Sequence, residues 1–446
     1  MQGPNQWQTL RAIFPRIVAS LPPFLERLAT DYGAASQFEF PWQRYVFIND
    51  PLLIKDVLVT QQHAFTKSEG ARLMRLLLGN GLATSEEPLH RRQRRIMQPA
   101  FHHERITGYG RTMLMFAGDW VAQRPADSVF DMHAAMADLT LHIASATLFG
   151  VDAGPRAQTI RESLRAALKT LAESFGPVAE ICYRLPLPST QRLRRVCAGL
   201  DAIIFELITE RRRLPGDGND VLSMLLTAED PQTGRRLDDR QIRDAVMTLF
   251  LAGHETTANA LVWTWALLAA HPAIEARFHA EVDAVASFDD PVTALRSLTY
   301  ARRVMTEAIR LYPPAWVFTR EAVTDVTLLG EYHISKGTAI VMSPYVLHRT
   351  PAIYRDPLQF DPDRWLDDVP PFTYIPFGGG ARRCIGEEFA WMEGTLLLAR
   401  LGRSFRFTLA DGRVPDIAPA ITLNPNGAVR MQAIARARDS AICHAP

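Results

Sequence analysis

Cys384 stands in Phe377-Gly-Gly-Gly-Ala-Arg-Arg-Cys384-Ile-Gly386, a glycine-rich bend that runs into an apolar stretch at 389–401. These residue types suit a soft ligand held against a metal. A thiolate needs stabilisation, which backbone N–H groups near a helix N-terminus supply, and glycines let the chain pass a planar group without Cβ clashes. Taken alone, a cysteine in such a bend is more often a small core residue. The second chemical feature is Ala252-Gly-His-Glu-Thr-Thr257. Ala252 and Gly253 lack bulk, so a planar cofactor and a small ligand can approach the backbone there. The Thr256 hydroxyl competes for helix carbonyls, which loosens the helix locally, and Glu255 beside it is a proton source. The plainer alternative makes Thr256 and Thr257 ordinary polar residues of a bent helix. His254-Glu255 also opens like the zinc motif His-Glu-x-x-His, but position 258 is alanine, so the second ligand is missing.

Asp239–Ala270 reads as one helix, which at 1.5 Å per residue spans roughly 45–50 Å, enough to cross a domain. Helical spacing dominates 88–311, with breakers at Pro186-Leu-Pro188 and Pro215-Gly-Asp-Gly-Asn219. Residues 45–51 read as a strand closed by a turn, and 52–60 return to helical spacing. Beyond Pro314, 323–328 and 338–342 alternate around Gly330 and Gly337 like hairpin strands. Asn426-Gly427, between 421–423 and 428–431, predicts a two-residue hairpin. The fold class is therefore mainly α with small β-sheets.

At 446 residues, 47% hydrophobic and 22% charged, the chain can bury a large core. It has no evident linker, repeat or low-complexity tract, so one continuous domain over 1–446 is expected, with 1–37 as an N-terminal segment and 435–446 as a flexible tail. A net charge of +1 gives no global attraction to nucleic acid or anionic membrane. Cys182, Cys197, Cys384 and Cys443 are widely spaced and form no CxxC pair, which argues against a disulfide scaffold or structural zinc. A reducing, cytoplasmic compartment is expected. The N-terminus shows neither a signal peptide nor a transmembrane segment, and Pro15, Pro22 and Pro23 interrupt the apolar residues after it. The apolar face within 13–28 is expected to pack on its own domain, with contact to a membrane surface as the alternative. His90 and Arg94, four apart in an arginine-rich run, share one helix face and could grip one carboxylate. Arg91, Arg92 and Arg95 point elsewhere, as a solvated basic face, a weak nucleic-acid patch or a docking patch for an acidic partner protein.

The cysteine segment resembles the haem-binding signature of the cytochrome P-450 superfamily, Phe-x-x-Gly-x-Arg-x-Cys-x-Gly, with Phe377, Gly380, Arg382, Cys384 and Gly386 at every fixed position. Upstream, Glu307-Ala-Ile-Arg310 matches the family's Glu-x-x-Arg. Phe360-Asp-Pro-Asp-Arg-Trp365 carries Arg364, the arginine that completes a buried ion-paired trio, and 252–257 resembles the oxygen-activating segment. The resemblance runs from about Phe38 to Ile434, in family order, and looks like a soluble bacterial-type member without a membrane anchor.

The resemblance implies the cytochrome P-450 fold, with a long central helix over haem b (iron protoporphyrin IX) and Cys384 as the metal ligand. Phe377, Gly378, Gly386 and Ala252 would lie against the cofactor. His90, Arg94, Arg320 and Arg382 would pair with its propionates. Glu255 and Thr256 would deliver protons for O–O cleavage. Glu307, Arg310 and Arg364 would serve folding and haem retention. The pocket would involve Thr248, Leu251, Ala252, Ala315, Trp316, Val317 and the stretch 70–82. Their apolar character favours a lipophilic small molecule: a terpenoid, a fatty acid or another secondary-metabolite skeleton. Thiolate donation implies monooxygenation with dioxygen. No flavin segment or iron–sulfur cysteine set is seen, so the two electrons are expected from a ferredoxin or flavodoxin with its reductase, and the enzyme is expected to be a monomer. Two alternatives stay open: a peroxide-using or oxygen-independent haem-thiolate enzyme, and a non-catalytic haem sensor. His348, near the haem edge in relatives, is as a lone histidine more often structural, and Trp263 and Trp265 read as helix packing.

Overall fold

The computed structural model describes residues 1–13, 17–41, 43–150, 154–173, 185, 187–213 and 220–436. The breaker segments at 186 and 215–219, Cys182, Cys443 and the expected tail beyond 436 lie outside them. Ala435 still closes a strand, and Arg436 pairs with Asp283 at 2.6 Å.

The organising element is the central helix Asp239–Ala270, whose bounds match the sequence reading. Asp238 starts it by accepting from the Gln241 N–H, and the Gln241 side chain accepts from the Asp238 N–H in return. This reciprocal pair satisfies two of the helix's orphan donors. The helix has little polar face because it is buried nearly all round. Its apolar residues merge into one core with Met132–Phe149, Thr299–Leu311 and the cysteine helix Glu387–Ser404. Trp263 stacks on Tyr312 at 4.0 Å, and Trp265 meets Phe407 edge-on at 4.7 Å, so both tryptophans are packing residues.

The sheets are small. The largest has five strands in the order Ala35–Phe40, Gln43–Ile48, Ala339–Met342, Phe318–Ala322 and Phe65–Thr66. Gln43–Ile48 and Ala339–Met342 run parallel, with Val46 opposite Ile340; the other pairs are antiparallel. Only part of the expected hairpin after Pro314 forms. Val326–Leu328 pairs with Tyr332–Ile334 around Gly330, whereas Ala339–Met342 joins the large sheet.

The C-terminal hairpin is not observed. Gly427 does adopt the positive φ of +82° that a tight turn needs, but its flanks enter different sheets. Leu423–Pro425 pairs back onto Ile417–Pro419, while Arg430–Ala435 pairs with Phe405–Leu409 and Val129–Asp131. Burial of Met431 and Ala433 in the main core decides that pairing over the local turn. Pro22 and Pro23 likewise do not interrupt the N-terminal helix Ile17–Tyr32. Packing of Phe24, Leu25 and Leu28 against Phe38, Phe47 and Trp316 offsets the two lost N–H donors. This face is therefore turned into the protein. No helix among the described residues is long and apolar enough to cross a membrane.

Candidate active site

The cysteine bend is built by backbone geometry. The Cys384 N–H donates to the Phe377 carbonyl at 2.9 Å and closes the loop. Gly378 and Gly380 take φ of +71° and +66°. A Cβ on Gly380 would collide with the Leu58 carbonyl, so only glycine lets the loop lie against 56–60. Phe377 rests on Trp391 of the cysteine helix at 5.3 Å. The Gly386 N–H points at the sulfur and favours the thiolate, but burial dominates and pushes the Cys384 thiol up to about 11. A thiolate at neutral pH therefore requires a cation against the sulfur.

Cys384 is deep in the protein yet has open surface, because it faces a cavity of about 490 Å³. Apolar side chains such as Phe101, Leu249, Met305 and Ile309 form its walls. Ala252, Gly253 and Thr256 of the central helix line it too, as do Phe377, Gly378, Ala315 and Gly386. Arg320, Arg382, His90, Arg94 and Lys67 stand on the same cavity.

These basic groups are only partly neutralised. Arg382 pairs with Glu86 and donates to the Ser85 carbonyl at 2.9 Å. Burial and the charge of Arg382 together bring Lys67 down to about 7 and Arg320 to about 10. Lys67 spends its ammonium on the Leu82, Ala83 and Ser85 carbonyls at 3.1, 2.6 and 3.2 Å. Glu86 is the carboxylate among these three cations, and it sits below its ordinary range, helped by the Lys67 N–H at 2.7 Å. Burial and Arg382 lower His90 to about 4, so its ring is neutral at pH 7 while it bonds Glu87 at 3.1 Å. Arg94 donates to the Arg383 carbonyl at 2.7 Å. An apolar slot with a thiol on its floor and surplus positive charge at one edge fits an iron macrocycle with two carboxylates on one side.

A second cavity, of about 520 Å³, adjoins the first; Thr248, Ala252, Thr256 and Lys67 line both. Leu251, Glu255, Trp316 and Val317 border this outer chamber, and Leu73 and Met74 represent the 70–82 stretch. Ala315, expected beside them, instead borders the inner cavity. Sequence reasoning missed the walls given by Ile17, Val18, Phe38 and Tyr45 and by Ile421 and Thr422. Two arginines of the basic run also differ from expectation: Arg95 bonds Asp230 at 3.1 Å and Arg92 approaches it at 3.7 Å, leaving Arg91 as the outward one.

The Thr256 hydroxyl donates to the Ala252 carbonyl at 2.7 Å, one turn back, and the helix continues through this point. Glu255 accepts from the Thr422 hydroxyl at 2.6 Å, and burial raises its carboxyl above the ordinary value. Farther from the cavity, Glu307 is fully buried. It receives Arg310 at 2.7 and 2.8 Å, Arg364 at 2.8 Å and the Trp365 indole at 2.9 Å. Arg310 in turn donates to the His348 and Pro357 carbonyls at 2.6 and 2.7 Å, locking 348–359 to the helix Thr299–Leu311. His348 is buried in this lattice; its Nε2 accepts the Ile375 N–H at 3.0 Å, and burial keeps the ring neutral.

A helix-rich fold that sets a cysteine loop beneath one long helix defines a haem-thiolate protein. A family profile described as cytochrome P450 matches residues 3–429. The crystal structure of the cytochrome P450DA haem domain superposes with a TM-score of 0.85 at 29% identity, covering 94% of each chain. Cyclooctatin synthase of Streptomyces melanosporofaciens is 39% identical over 85% of this chain and 84% of its own length. Pentalenene oxygenase of Streptomyces avermitilis is 38% identical over 78% and 79%. The chain belongs to the cytochrome P450 family, and it is a haem-thiolate monooxygenase.

Proposed function

We propose that this enzyme oxidises a compact lipophilic skeleton of the terpenoid kind, held in the outer chamber against the central helix. The observation that carries the reading is that chamber: about 520 Å³, walled mostly by apolar side chains and sharing Thr248, Ala252 and Thr256 with the wall of the Cys384 cavity. Two relatives carry names of this class, cyclooctatin synthase and pentalenene oxygenase. A fatty acid fits less well. Its carboxylate would need a cation in the chamber, and the two that line it, Lys67 and Arg320, also line the inner cavity, where they serve the propionate edge in this reading.

In this reading Cys384 ligates the haem iron. Arg382, Arg320, Lys67, Arg94 and neutral His90 hold the propionate edge, and Phe377, Gly378, Gly386 and Ala252 lie against the ring. The bound haem supplies activation of dioxygen, so that one oxygen atom enters a C–H bond of the substrate and the other leaves as water. The chain's part is to orient the substrate, exclude bulk water and deliver two protons. Because the Thr256 proton is engaged by the Ala252 carbonyl, Thr256 acts as an acceptor that orders the incoming proton, and Glu255 is the donor. Glu307, Arg310 and Arg364 fix the cofactor's supporting frame. The two electrons come from a separate ferredoxin or flavodoxin with its reductase, and the enzyme works as a cytoplasmic monomer of one domain.

Titrating the ferric holoenzyme with cyclic terpene hydrocarbons and alcohols, and in parallel with long-chain fatty acids, tests the substrate class through the spin-state shift of the Soret band. Saturable shifts with the terpenoids, followed by hydroxylated product once reduced ferredoxin is added, are expected. Shifts with fatty acids alone refute the terpenoid reading.

A further inference from the structure

Thr422 lies 167 residues from Glu255 in the chain, yet its hydroxyl makes a short hydrogen bond to that carboxyl, at 2.6 Å. Several contacts fix where Thr422 sits. The Trp316 indole donates to the Ala420 carbonyl at 3.0 Å, the Trp263 indole donates to the Leu423 carbonyl at 3.0 Å, and the Leu423 N–H donates to the Pro314 carbonyl at 3.0 Å. Two buried rings and a backbone bond thus hold 420–423 as a rigid shelf beside the outer chamber.

The direction of the Thr422 hydroxyl is fixed as well. The fully buried Asn259, one turn beyond Glu255 on the central helix, has two amide hydrogens. One goes to Thr422 Oγ1 at 3.2 Å and the other to Asn424 Oδ1 at 3.0 Å. Since Asn259 donates to the Thr422 oxygen, the Thr422 proton must point elsewhere. Its choices are Glu255 at 2.6 Å and Asn424 at 3.5 Å, and the short contact wins. In this arrangement Glu255 Oε1 is an acceptor, which leaves Oε2 as the oxygen to carry a proton.

We propose that Thr422, oriented by Asn259, is the positioning residue that holds the Glu255 carboxyl with Oε2 as its proton-carrying oxygen. Arg165 is the charged group that acts on Glu255, and His133 stands behind Asn259; neither replaces the Thr422 bond. Losing this bond leaves a buried carboxyl free to rotate, so its proton is presented in several geometries and oxygen reduction uncouples from substrate oxidation. The inference rests on the reading of Glu255 as proton donor.

The experiment compares the Thr422→Val, Thr422→Ala and Thr422→Ser holoenzymes with wild type and Glu255→Gln. Two quantities are read: product formed per reducing equivalent consumed, and the infrared carboxyl stretch identified by its loss in Glu255→Gln. The valine and alanine variants are expected to lose roughly tenfold in product per reducing equivalent, with peroxide accounting for the difference. Their carboxyl band moves to higher wavenumber as the hydrogen bond disappears. Thr422→Ser restores both. A valine variant with wild-type coupling and an unmoved band overturns the proposal, as does a serine variant that fails to rescue. If Glu255→Gln itself stays coupled, the donor assignment fails instead, which separates the two readings.

Discussion

Replacing Glu393 with glutamine isolates one buried carboxyl whose ionisation works against the fold. Glu393 lies on the cysteine helix with no exposed surface, and neither carboxylate oxygen has a hydrogen-bond partner among the described residues. The Thr257 hydroxyl is close enough to favour the charged form without completing a normal bond, and burial wins, raising the group from 4.5 to about 8. The folded protein therefore keeps this proton to higher pH than the unfolded chain. The resulting stability is fully present below pH 4.5 and is lost as pH rises toward 8. At 1.36 kcal/mol per unit, the loss between pH 5 and pH 8 is about 3–4 kcal/mol. For a chain of 446 residues, one kcal/mol moves the melting midpoint by about 1 °C, from an unfolding entropy of roughly 2 cal/mol/K per residue. Glu393→Gln cannot ionise and escapes the loss. Measured by thermal melting of the holoenzymes, the midpoint of Glu393→Gln relative to wild type should rise by about 3–4 °C from pH 5 to pH 8. A difference that is the same at both pH values refutes the argument, since it would mean that Glu393 does not ionise across this range.

Lys67→Met should speed haem transfer to an acceptor apoprotein several-fold. Because anion binding favours protonated Lys67, and Lys67 stands at about 7 without that anion, wild-type haem affinity should weaken as pH rises above 7. Apoprotein titrations with haem should show that slope, and it should flatten in the variant. Arg310→Met takes one of the two arginines from the fully buried Glu307, leaving Arg364 to pair with it, and unpairs the His348 and Pro357 carbonyls; it should cost about 3 kcal/mol, seen as a lower melting midpoint and a lower holoenzyme yield. Gly380→Ala forces a Cβ onto the Leu58 carbonyl and should deplete the haem-loaded fraction, whereas Gly412→Ala, with open space around it, should not; both glycines have positive φ, so the pair isolates the clash.

Local pattern made much of this enzyme legible. The long apolar run gives the central helix, and the glycines before Cys384 mark the bend. What the chain pattern could not convey lies in partners far apart in sequence. Gln43–Ile48 finds its parallel neighbour nearly 300 residues away, which no periodicity encodes. Lys67 carries no motif; its position emerges only when the 82–85 carbonyls fold over its ammonium. Thr422 reaches Glu255 because a shelf pinned by two indoles returns to the central helix. The Asn426-Gly427 turn misled because tertiary burial of Met431, rather than local turn chemistry, chose the strand partners.

The central claim is that the Cys384 sulfur, held in its glycine loop against a cofactor bound in the inner cavity, supplies the thiolate. The most direct test is the absorption spectrum of the dithionite-reduced protein with and without carbon monoxide, recorded for wild type and Cys384→Ala. The account predicts a strongly red-shifted Soret band in wild type that is lost in the variant. An unshifted wild-type band, or a red-shifted band that survives in Cys384→Ala, would contradict it.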